Sequence, residues 1–166
     1  MLPFFQKNKT PLEIAVDEKG VLPQKLSNLK NKTIKTDLFI PSSYTISKEY
    51  YYILQFLNNE LTPMTVNHLD VCGISLKQTP YLIEVRAFFR NTLSDPFKVK
   101  NIKLELTTND KEIIAEHSFD LSYLGIIKPQ KSIYVIIHFP SESIKLQQFD
   151  LNNFSIYIDT IEKSYE

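Results

Sequence analysis

The chain has 166 residues, 43% of them apolar and 23% charged, and a formal net charge of zero. That length suits one domain able to bury its own core, and that balance excludes a largely disordered chain. Three glycines (Gly20, Gly73, Gly125) leave too little material for a phosphate-cradling loop, and the single cysteine, Cys72, leaves no internal disulfide.

The opening Met-Leu-Pro-Phe-Phe run is too short for the apolar region of a signal peptide. No stretch reaches the roughly 20 apolar residues of a spanning helix, so a cytoplasmic location is expected. Charge is unevenly placed. Residues 1–48 carry eight lysines against Glu13, Asp17, Glu18 and Asp37, which makes the front of the chain +4 and the remainder −4. Leu2, Phe4 and Phe5 beside Lys7 and Lys9 form a pattern suited to weak contact with a membrane surface.

Within this basic N-terminal segment, residues 1–35, Leu12, Ile14 and Val16 alternate with charges as a short strand would, before a Lys/Asn/Gln-rich loop. A second alternation over Ile34, Thr36, Leu38 and Ile40 predicts a strand that stops at Pro41. Ser47 then precedes Tyr50, Ile53, Leu54 and Leu57 at helical spacing, which predicts a helix over 47–58 with Ser47 as its N-cap. Asn58-Asn59 and Pro63 close it. Tyr51, Tyr52 and Phe56 lie off that stripe, so the helix carries surplus apolar surface.

From Asn67 onward the period is two. Leu69 and Val71 share a phase that shifts across Gly73 to Ile74 and Leu76, as at a bulge. Tyr81, Ile83, Val85, Ala87 and Phe89 face one way, with Glu84, Arg86 and Arg90 between them. Ile102, Leu104 and Leu106 pair through an Asn109-Asp110 turn with Ile113, Ala115, His117 and Phe119. Ile133, Val135, Ile137 and Phe139 follow, and Phe154, Ile156 and Ile158 complete six strands. The fold class expected is mainly β: an immunoglobulin-like antiparallel β-sandwich over residues 36–166, with the helix packed at its edge.

Residue types that carry catalysis are present but not assembled. His68, His117 and His138 share no metal-ligand spacing, so neither zinc nor another metal is expected. His117 reads as a core or sandwich-end histidine, and His138 as solvated. Cys72 has no flanking cation to lower its pKa and reads as an inert filler. No serine sits in a Gly-x-Ser-x-Gly elbow. Glu84, Glu105, Glu116 and Asp159 alternate with apolar residues as a solvated face does. No enzyme activity, cofactor or nucleic-acid partner is expected. Tyr51, Tyr52 and Phe56 remain as the contact for a protein partner, or as side chains packed on the sandwich itself. Arg90, at the end of the cleanest strand, faces outward to bind a partner or pair with a nearby carboxylate.

Four stretches carry a family likeness: Tyr50 to Leu69 (YYYILQFLNNELTPMTVNHL), Ala87 to Leu93 (AFFRNTL), Phe119 to Gly125 (FDLSYLG) and Phe139 to Ile144 (FPSESI). In order and spacing they resemble the SLAP domain, named for S-layer assembly proteins of Gram-positive accessory Sec systems. The likeness runs over about residues 36–145, and the MLPFFQKNK start is similar to the aromatic-then-basic opening of those proteins. Departures occur at Leu61-Thr62-Pro63, where the family has a Pro-Pro pair, and at Gly125-Ile126-Ile127-Lys128, where it has Gly-Glu-Ile-Pro. Family members typically carry two such domains, and this chain has room for one.

The resemblance implies a non-enzymatic, cytoplasmic or membrane-associated factor. It would work as an adaptor or chaperone-like module with a second SecA ATPase, or with the exported surface protein itself. A cell-wall or carbohydrate-binding sandwich is the alternative the fold allows.

Overall fold

The structure, a computed structural model, describes residues 32–165. The strand expected around Leu12–Val16 and the membrane-contact residues Leu2, Phe4, Phe5, Lys7 and Lys9 lie outside the described residues.

Among the described residues, ten strands and one α-helix follow in chain order: β1 (Thr33–Ile34), β2 (Asp37–Phe39), α1 (Lys48–Glu60), β3 (Met64–Thr65), β4 (Leu69–Gln78), β5 (Leu82–Asn91), β6 (Phe97–Thr108), β7 (Ile113–Phe119), β8 (Ile126–Ile127), β9 (Lys131–Pro140) and β10 (Phe154–Ser164). One sheet has the order β10-β6-β7, with β8 pairing the start of β6. Another has the order β2-β9-β5-β4, and β1 and β3 pair separately as a two-stranded ribbon. All these pairings are antiparallel except β2 with β9, which is parallel.

The two sheets meet over a common core. Val71, Ile83, Val85, Ala87 and Phe89 come from one sheet, with Ile133, Val135, Ile137 and Phe139 beside them. Ile102, Leu104, Leu106, Phe154 and Ile156 come from the other. These side chains alternate along their strands because successive residues of a strand point to opposite faces, so the period of two is the core seen in one dimension. The chain is therefore a β-rich sandwich, as the alternation predicts.

Local features of the strands and turns have identifiable causes. The phase change across Gly73 is a register shift between Gly73 and Ser75 where β4 pairs β5. The Asp120 carboxylate accepts from the Ser122 N–H at 2.8 Å, closing the turn that lets Leu121 plug the core, and Gly125 takes φ of 68° beyond it.

Other features differ from those expected. The strand expected from Ile34 to Ile40 is broken in two, because Thr36 is drawn inward. Its Oγ1 meets Ser132 Oγ at 2.5 Å, and its carbonyl accepts from Asn58 Nδ2 at 2.8 Å. Tyr81 does not face the core. It lies in the turn that Thr79 organises before β5 and is 80% exposed. In β7 a register shift opposite Leu106 and Thr107 turns Ile113 outward and buries Ile114 in its place.

The largest difference concerns the helix. It lies on the outer face of the β2-β9-β5-β4 sheet, not at the edge of the sandwich. Leu54, Leu57 and Leu61 form a second core there with Cys72, Ile74, Phe88 and Tyr134. Those four sheet residues are out of phase with the inward-facing ones, so the central strands are apolar on both faces.

Candidate interaction surface

An isolated helix of 13 residues is marginal in water, so α1 depends on its cap and on the face it buries. Ser47 Oγ accepts from the Tyr50 N–H at 3.1 Å, satisfying one of the free donors of the first turn. Burial of Leu54, Leu57 and Leu61 contributes about 1.5–3 kcal/mol for each side chain. Tyr50 packs edge-on to Tyr134 at 5.9 Å, and the Arg86 guanidinium stands 5.5 Å from the centre of the Tyr50 ring.

The opposite side of α1 is free of the sandwich. Tyr52 and Phe56, one turn apart, are 58% and 60% exposed, and Tyr51 and Ile53 flank them at 40% and 42%. Tyr51 and Tyr52 touch edge to face at 6.0 Å. A contiguous apolar stripe facing water costs hydration free energy that a partner would recover. Beside it, a groove of about 280 Å³ opens between the helix and the sheet, floored by Leu57 and Ile74, with Tyr50, Ile53, Lys77 and Arg86 on its walls.

Arg90 is not on this surface. It is 4% exposed, and its partners are internal: Nε donates to Thr36 Oγ1 at 3.3 Å and Nη2 to the Thr62 carbonyl at 2.9 Å. With Thr36 also bonded to Ser132 and Asn58, the guanidinium ties the C-terminal end of the helix and β2 to the sheet. Its alternation with core residues predicts solvent, yet the outer face of this sheet is covered. Burial pushes its pKa down, opposed by nearby Cys72 and Asp70.

Opposite Arg90 in the ladder stands Asp70, which no motif or spacing singles out. Burial raises its pKa from the usual 3.8 to about 6, against the Val71 N–H, Arg90 and His68, which lower it.

The histidines are dispersed. His68 Nδ1 lies 2.9 Å from the Val66 carbonyl, His117 packs edge-on to Phe119, and His138 meets Glu84 at 3.2 Å on the surface. Among the described residues no three His, Cys, Asp or Glu side chains come together as metal ligands would. Cys72 is buried beneath the helix. Glu116 pairs with Lys145 and Asp159 with Lys103, both at the surface.

A second concave region was not anticipated. Phe39 of β2, Leu124, Ile126 and Ile127 near β8, and Ile133 of β9 line a groove of about 260 Å³ with Lys128 and Lys131. Phe39 and Ile126 stand half-exposed there.

The SLAP domain model matches residues 38–160. The chain belongs to the SLAP domain family. No curated protein and no solved structure matches it. The match begins inside β2 and ends inside β10, so it takes in the helix, both sheets and both grooves.

Proposed function

We propose that this SLAP domain is a non-enzymatic interaction module that assists export of cell-surface proteins through an accessory Sec pathway. The observation that carries the reading is the aromatic stripe of α1, held outward by a helix whose other side is anchored in a core. Family membership supports an S-layer or accessory Sec role. The stripe gives that role a surface on which a translocase component, such as a second SecA-type ATPase, or an exported precursor can dock. Tyr, Phe and Ile side chains on a rigid element lose little freedom on contact and bury large areas, which is how hot spots are built. The reading puts the module on the cytoplasmic side of the membrane, in solution or at its surface.

The test is affinity capture from the native host with wild type and with Tyr51→Ala/Phe56→Ala. Loss of the ATPase or of a surface-protein precursor from the variant's eluate is the expected outcome. Equal recovery from both would remove the helix from the reading.

A further inference from the structure

We infer that the outer face of α1 pairs with the same face of a second copy of this chain, with the two helices antiparallel across a two-fold axis. The inference concerns the face used in the proposed function but does not depend on the export role.

One row of side chains at four-residue spacing runs along the exposed face: Lys48, Tyr52, Phe56 and Glu60. At about 100° per residue this row stands opposite the buried stripe of Leu54, Leu57 and Leu61, so it points away from the sandwich. Read backwards, it carries the complementary chemistry. A two-fold axis on the exposed face midway between Tyr52 and Phe56 sets Tyr52 against Phe56 of the other copy, and Lys48 against Glu60 of the other copy, each contact occurring twice. Such self-complementarity is what an isologous interface requires. Rows at this spacing also form the ridges by which helices most commonly interdigitate.

The charges at the row's ends are opposed to the helix's own dipole. Lys48 sits at the positive N-terminus and Glu60 at the negative C-terminus, where each is unfavourable to the isolated helix. Beyond the contact of Lys48 Nζ with the Tyr52 ring at 6.0 Å, a partner that brings Glu to Lys and Lys to Glu offsets that cost at both ends. Each copy offers four apolar side chains that are already about half covered, so only about half of the roughly 150–250 Å² an aromatic can bury is still free, and the area offered falls below the standard interface of about 800 Å² per partner. The dimer is accordingly weak and exchanges readily, leaving the face open to a tighter-binding partner.

Sedimentation equilibrium of the purified chain tests this directly. Wild type is expected to self-associate reversibly below about 1 mM. Lys48→Glu and Glu60→Lys, made singly, replace two attractions by two repulsions and should each weaken association about five- to tenfold. Both substitutions place the charge that the helix dipole favours, so neither should unfold α1, and circular dichroism checks that. The double variant restores complementarity and should recover wild-type association, and a mixture of the two single variants should form heterodimers. A chain that stays monomeric throughout, single variants that associate like wild type, or a double variant that does not recover would each overturn self-pairing. A monomer that still captures its partner through Tyr51 and Phe56 would overturn only this inference. A dimer that captures nothing would count against the export reading alone.

Discussion

The ring of Phe154, on β10, occupies the space into which a side chain on Gly73 of β4 would project. A Cβ built on Gly73 stands 2.9 Å from Phe154 Cζ, closer than such contacts allow. The edges of the two sheets approach each other here, so this glycine sets how near they come. Gly73→Ala should force the ring or the strand aside and destabilise the fold by about 1–3 kcal/mol. Urea denaturation measures it, and an unchanged midpoint would show that Phe154 moves freely.

Gly125 presents the complementary case. A Cβ there meets nothing within 4 Å, but φ of 68° with ψ of −144° is a conformation open essentially to glycine alone. Gly125→Ala should cost about 1–3 kcal/mol through the backbone only. A second substitution that enlarges the surrounding space should not rescue it, and such rescue in thermal melts would contradict the assignment.

Arg90 should behave as a clasp. Arg90→Met removes donors from Thr36 and from the Thr62 carbonyl, and a loss of about 2–4 kcal/mol is expected by chemical denaturation. Arg90→Lys should not restore stability in full, since an ammonium lacks the fork that reaches both acceptors. Partner capture by the folded fraction of either variant should match wild type. A stable variant that fails to bind would return Arg90 to the interface.

Asp70 makes stability depend on pH in a direction opposite to that of a salt-bridged carboxylate. Its pKa is about 6 in the folded protein against the usual 3.8, so between those values the folded state holds a proton that the unfolded chain has released. Its contribution therefore falls as pH rises from about 4 to about 6, and is level above that. Asp70→Asn removes the titration. The melting temperature of the variant relative to wild type should climb across that window, whereas a constant difference would show that the carboxyl titrates normally.

The inner core was legible because its strands alternate. Ile83, Val85, Ala87 and Phe89 on β5, and Ile102, Leu104 and Leu106 on β6, sit where their phase puts them. Ser47, with its short side chain before an apolar stripe, marked the helix start. What the alternation concealed was the second core. Phe88, Tyr134 and Ile74 break the period of two by being apolar in both phases, the mark of a strand covered on each side, and they identify where α1 docks. Alternation on one face alone would leave the helix at an edge and Arg90 in water. The exposed stripe itself could be read from spacing, since Tyr52 and Phe56 lie opposite Leu54 and Leu57 on any α-helix. The groove between Phe39 and Ile126 could not, because nothing local to either strand reports which sheet edges approach each other.

The central claim is that the aromatic face of α1 is for contact and not for stability. Its most direct measurement is the amount of purified accessory-Sec ATPase retained by immobilised Tyr52→Ala/Phe56→Ala, relative to wild type and to Tyr81→Ala, whose ring is exposed in the turn before β5. The helix variant should keep its melting temperature and retain at least about tenfold less ATPase, while Tyr81→Ala binds as wild type. Equal retention by all three proteins would contradict the claim.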